Sequence, residues 1–407
     1  MLSATNGGTI DIRTDALMTN INLAYAVDDA VFINNGGVIK VDGYINGSSS
    51  TIFKNGFLIS DNDSLLESSS LQIYTKEGHS LKISNNAEVN VSRLILLTGE
   101  NQLNNGLTIG EVALIENGGT LGTATDLTRK QDVSKITSSN GGNVLKITGL
   151  NSSYTNNFET ILTSTNGTDG SIGLQILDKA VFTNAKDAFL RLRSADLGLY
   201  ISDAKLEGGN IEIRGNHGAK IEQNSTIAIE SLYLTTQKSG VSIDSSKVNI
   251  NTLNGSINIT TPNDKAIHIN NNSTANIDSA RLIVSGDKSH GIYLENDSKY
   301  ISNINFSTVI QTNGSESVGF YISGPSSSAN LLGELQITTN GKNSHGIFIE
   351  DGSKVFIGRN LTLLNNGTTD SSNSTLVGCG PSTSICKQVI IQASPPITTT
   401  TQHFLIQ

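Results

Sequence analysis

The chain has no tryptophan, only two cysteines and only five prolines in 407 residues. Scarce proline fits a fold built from hydrogen-bonded strands, because proline has no N–H to give to a ladder. Charged residues are 15% of the chain, well below the usual ~25%. The formal charge is −9, and no basic cluster with interleaved aromatics occurs, so a nucleic-acid surface is not expected. No run of 18 apolar residues is present, which leaves no candidate transmembrane helix. The stretch Met1-Leu2-Ser3-Ala4-Thr5-Asn6-Gly7-Gly8 lacks the charged and apolar regions of an export signal. Cys379 and Cys386 read as a small structural disulfide of an exported protein. A metal site there would want more ligands nearby.

What the chain does have is phase. Hydrophobic residues are only 36%, yet they recur in step. A phrase of Gly or Ala, then apolar, variable, apolar, repeats seven times. It reads Gly198-Leu199-Tyr200-Ile201, Gly218-Ala219-Lys220-Ile221, Gly240-Val241-Ser242-Ile243, Ala266-Ile267-His268-Ile269, Gly291-Ile292-Tyr293-Leu294, Gly319-Phe320-Tyr321-Ile322 and Gly346-Ile347-Phe348-Ile349. Two copies are nearly identical: Ser289-His290-Gly291-Ile292 and Ser344-His345-Gly346-Ile347. A period of about 25 residues marks a solenoid rather than a compact globule.

Apolar residues two apart are strand periodicity, one face in and one face out. Each phrase is followed by a turn such as Glu295-Asn296-Asp297-Ser298, then by two more short β-like runs. Three short strands per coil predict an all-β parallel β-helix in which equivalent strands pair in parallel. Inward side chains then stack into apolar columns that no single coil could bury alone. Asn and Gly tolerate the left-handed backbone such turns need, as in Asn35-Gly36-Gly37 and Asn117-Gly118-Gly119. Stacked Asn side chains are expected to form ladders from coil to coil.

The β-helix is expected over residues 1–365 with no boundary inside it. Residues 366–407 read as a Ser/Thr-rich tail that carries the cysteine pair. Two stretches break the rhythm: Asn151–Asn157 reads as a loop, and between Thr123 and Lys135, where the phase is hard to follow, Thr125–Asp132 reads as a loop or short helix leaving the coil.

The Gly-Ile-Tyr/Phe-Leu/Ile-Glu phrases and Asn-Gly-Gly turns, with scarce cysteine and low charge, resemble the passenger domain of pertactin-type bacterial autotransporters. The resemblance covers roughly residues 1–365 and rests on repeat style. It implies a right-handed parallel β-helix exported through the periplasm, on the cell surface and outer membrane or in the extracellular medium. It implies an adhesin or virulence role toward host cells. That family also carries an export signal and a C-terminal membrane barrel, so the resemblance implies a passenger fragment.

No protease signature, nucleophile elbow, calcium nonapeptide or P-loop is present. Polysaccharide hydrolases and lyases also use this fold class and need close carboxylates. Asp28-Asp29, Asp61/Asp63, His217, His290 and His345 are the candidates, and their turn and repeat contexts read as scaffold. No catalytic residue, cofactor or metal is therefore assigned. If Ile292, Phe320 and Ile347 face inward, Tyr293, Tyr321 and Phe348 face outward, with His268 and Tyr200 further back in the same column. Such an aromatic stripe suits a host cell-surface protein or a glycan, bound by a monomer. A β-helical polysaccharide-active enzyme and a structural spacer are the alternatives.

Overall fold

A computed structural model describes residues 2–12, 19–23, 29–47, 55–75, 78–98, 111–123, 133–138, 142–165, 169–193, 195–258, 264–366, 377–379 and 389–391. The described residues form strands and turns, with no helix among them. The strands pair in parallel with their equivalents one coil away, which makes the fold a parallel β-helix. The chain divides into two compact units, Met1–Ile250 with Asn254–Asn258, and Asn251–Leu253 with Ile259–Gln407.

In the first unit some coils carry three separate strands, and in others neighbouring strands run on as one, as in Val38–Gly47 and Leu65–Thr75. Leu145–Thr148, Ser153–Asn156 and Glu159–Ser164 pair with Ile172–Leu177, Val181–Asn184 and Phe189–Arg193. The alternation read from the sequence sets the register. Val31, Phe57, Leu81, Ala113, Leu145, Leu174, Leu199, Ala219 and Val241 are successive partners, and all are buried.

The stretch Asn151–Asn157 was expected as a loop, and the structure corrects this with a strand at Ser153–Asn156. Its inward residues are polar but satisfied. The Tyr154 hydroxyl lies 3.0 Å from Thr160 Oγ1, and its ring meets Phe182 edge-on at 5.1 Å. Asn156 Nδ2 donates to Asn184 Oδ1 at 2.7 Å, and Thr160 Oγ1 donates to Asn156 Oδ1 at 2.9 Å. Buried polar groups are tolerated when each has a partner. Residues 124–132, within the other irregular stretch, lie outside the described residues.

The second unit repeats the plan. Ile267, Ile292, Phe320 and Ile347 are partners in register and are buried. Beyond residue 366, Val377–Cys379 pairs with residues 347–349 and Val389–Ile391 with residues 355–357. Cys386 lies outside the described residues, and so does the cysteine pairing expected there.

Asparagine ladders link the coils. In the first unit Asn35 Nδ2 donates to Asn6 Oδ1 at 3.3 Å. In the second, Asn366 donates to Asn340 at 3.0 Å and Asn340 to Asn313 at 2.8 Å.

The repeated Ser-His-Gly-Ile phrase is now legible letter by letter. Ser289, Ser317 and Ser344 are fully buried at the inner corner, where Ser317 N donates to Ser344 Oγ at 3.1 Å. The isoleucine enters the core. The glycine is required by close packing: a Cβ on Gly291 would strike Gly319 O and Ile310 Cγ2, and one on Gly319, at the same place in the intervening Ser-Val-Gly-Phe phrase, would strike Ile337 Cγ2 and come within 2.7 Å of Gly346 O. Gly319→Ala is expected to destabilise the second unit by about 1–3 kcal/mol through overpacking. A lower urea midpoint at unchanged slope is the expected reading, and an unaltered midpoint would refute the collision.

Candidate functional site

Four strands of the second unit build the site: Lys265–Asn270, His290–Leu294, Val318–Ile322 and His345–Ile349. Because Ile267, Ile292, Phe320 and Ile347 point inward, the next residue on each strand points outward. His268, Tyr293, Tyr321 and Phe348 are therefore partners in one outer column. All four are half-buried.

The rings are arranged face to face. Tyr293 and Tyr321 stack at 4.5 Å and 3°, and Tyr321 and Phe348 at 5.4 Å and 11°. His268 meets Tyr293 edge-on at 5.4 Å and 73°. Both faces of Tyr321 are thus covered by its neighbours. Tyr321 therefore offers its edge and hydroxyl outward, whereas Phe348 ends the stack with Gly378 as its next register partner. Tyr200 belongs to the first unit, where its register partners are Gln175 and Lys220. There Lys220 Nζ lies 5.4 Å from the Tyr200 ring centre, and the Tyr200 hydroxyl donates to Glu222.

Carboxylates line one edge of the stack. His268 Nε2 lies 2.7 Å from Glu295 Oε1, the Tyr321 hydroxyl donates to Glu350, and Ser323 Oγ donates to Asp351 Oδ2 at 2.8 Å. Burial and then the Asp351 charge hold the Glu350 carboxyl above its ordinary range. The Tyr293 hydroxyl is pushed up to about 12, by burial first and then by Glu295, Glu350 and Asp351. A proton on the Tyr293 hydroxyl is therefore kept for donation to a carboxylate.

Imidazoles and one ammonium line the other edge. His290 sits 5.2 Å from the Tyr293 ring and 5.4 Å from that of Tyr321, and His345 sits 5.4 Å from Phe348. Lys265 Nζ lies 4.9 Å from the Tyr293 ring centre. Burial, then the charges of Lys265 and His268, push the His290 imidazole down to about 4. Val318 occupies the histidine position on the middle strand and is buried. That leaves the space beside Tyr321 to His290.

No protein-family model, curated protein or solved structure matches this chain.

The carboxylates weighed for acid–base chemistry fall elsewhere. Asp61 and Asp63 hold left-handed turns, at φ 74° and 62°. Asp28 lies outside the described residues, and only the backbone of Asp29 is described. His217 Nδ1 lies 2.7 Å from Ser239 Oγ on the next coil. Its neighbour Asp196 accepts from Gly170 N at 2.9 Å and Asn216 Nδ2 at 3.0 Å. Burial raises Asp196, but these bonds and the charges of His217 and Lys238 outweigh it and hold the carboxyl low. Glu159 and Glu212 are both tied to Arg191. Among the described residues no group of three or more His, Cys, Asp or Glu is placed to hold a metal ion. No described helix is long and apolar enough to cross a membrane.

Sequence reading singled out His268, Tyr293, Tyr321 and Phe348, and the structure brings these four together. It missed Lys265, Glu295 and Glu350, and read His290 and His345 as scaffold. Alternation carried the signal for the two glutamates: each lies two residues after an outward aromatic and so shares its face.

Proposed function

We propose that this chain is a non-enzymatic passenger of the autotransporter kind, displayed on a bacterial surface or secreted. It binds a host cell-surface protein or glycan through the outer column of the second unit. The observation that supports this reading is the four-ring column itself. Aromatics are placed outside the core on consecutive coils, with hydroxyls and carboxylates along one edge and imidazoles and the Lys265 ammonium along the other. Repetition of the contact from coil to coil supplies many weak interactions at once. Because both faces of Tyr321 are covered, contact there runs through ring edges, the Tyr293 and Tyr321 hydroxyls and the flanking polar groups.

The test is binding of the purified chain to host cells and to a glycan array. Tyr293→Ala/Tyr321→Ala/Phe348→Ala is expected to weaken binding by at least about tenfold, the scale of one aromatic hot spot. Truncation also removes stacking worth about 0.5–1.5 kcal/mol per pair. Binding is therefore compared at a temperature where circular dichroism shows both proteins folded. Equal binding by the variant would remove the column from the binding surface. Degradation of a polysaccharide by the wild-type chain would favour a β-helical enzyme instead, and absence of any binding a structural spacer.

A further inference from the structure

Asn-Gly pairs recur through the chain, and they are the least durable dipeptide in a protein. The glycine nitrogen loses its proton and attacks the asparagine Cγ, and ammonia leaves. The resulting succinimide takes up water and opens to aspartate or isoaspartate. Asparagine is thermolabile for this reason.

At Asn117-Gly118 the fold leaves little choice of residue. Asn117 sits at φ 50° and Gly118 at φ 82°, a left-handed pair that Asn and Gly tolerate best. A Cβ on Gly118 would strike Asn86 Oδ1 of the coil before. The Asn117 side chain is exposed to the water that would complete the reaction, while Gly118 is buried.

The structure also shows what occupies the reactive N–H. Gly118 N donates to Ser152 Oγ at 2.9 Å, across to the next coil, and Ser152 is fully buried. The same arrangement recurs three coils earlier, where Gly36 N donates to Ser64 Oγ at 3.1 Å. There Asn35 sits at φ 49° and Gly36 at φ 71°. At Asn6-Gly7 the glycine N–H goes to Asn35 O at 2.9 Å instead. In each turn the amide that would have to lose its proton and swing toward the side chain is fastened to a neighbouring coil.

We propose that Asn117-Gly118 is a latent deamidation site, closed by the hydroxyl of Ser152, and that Asn35-Gly36 is closed in the same way by Ser64. The buried corner serines thus protect the turns chemically as well as filling the corner.

The experiment follows both sites in one molecule. The intact chain is incubated at mildly alkaline pH and digested. Conversion at Asn117 and Asn35 is read by mass and by isoaspartate labelling. Ser152→Ala is expected to raise the rate at Asn117 by roughly three- to tenfold, the factor one lost hydrogen bond supplies. Asn35 in the same chain keeps its wild-type rate. Ser64→Ala gives the reverse pattern, and Ser152→Thr, which restores a hydroxyl, returns Asn117 to the slow rate. A rise at both sites in Ser152→Ala would mean general loosening, and no rise at Asn117 would mean the serine is no guard; either result overturns the proposal.

Discussion

Tyr300→Ala is expected to lower the stability of the second unit by about 3–5 kcal/mol, the range for deleting a large buried aromatic. Tyr300 is fully buried, and its register partners are Ala275 on one side and Ala329 on the other. A single ring therefore fills space that two alanines leave, and neither neighbour can expand into the hole. Phe320 meets the ring edge-on at 5.5 Å and 81°, a contact that also disappears. The hydroxyl is a lesser matter, since it lies 3.5 Å from Thr308 Oγ1. Tyr300→Phe should accordingly cost about 1 kcal/mol. Denaturant midpoints check both variants. A Tyr300→Ala protein as stable as Tyr300→Phe would show that the core collapses where the alanines predict it cannot.

Acid is expected to weaken the same unit through His290. The free imidazole takes a proton near pH 6.5, whereas the folded one does so only near pH 4. Between those values the unfolded chain binds more protons, so stability falls as pH falls. Above pH 6.5 the effect is absent, and below about 4 it is complete. The shift corresponds to about 3 kcal/mol. Lys265 and His268 lie close enough to oppose the new charge. His290→Gln should flatten this part of the pH profile. Tyrosine emission is a direct probe, because the chain has no tryptophan to obscure it. If wild type and His290→Gln lose stability in parallel on acidification, the protonation site lies elsewhere.

The core columns were legible because each phrase states its own register. A small lead residue is followed by apolar residues two apart, and only one face of a strand can take them. The outer position of Tyr293, Tyr321 and Phe348 follows from the same parity. How the rings lie was not legible, since stacking depends on side-chain rotation and not on spacing. The strand at Ser153–Asn156 was hidden because its inward residues, Tyr154 and Asn156, rely on hydrogen bonds from Thr160 and Asn184. Contacts such as Arg191 with Glu159 and Glu212 were hidden too. The coils differ in length, so their separations of 32 and 21 residues follow no fixed offset.

The pairing between coils also bears on how such a chain is made. Ser152 reaches Gly118 over 34 positions, Tyr200 reaches Glu222 over 22, and Asn340 reaches Asn313 over 27. Within each unit a newly available segment needs only the winding already in place beside it, because stability in stacked repeats is a sum over nearest neighbours. Winding can therefore advance from one end while the remainder is still unfolded. A polypeptide delivered gradually, from a ribosome or through a narrow pore, could settle turn by turn without waiting for its last residue.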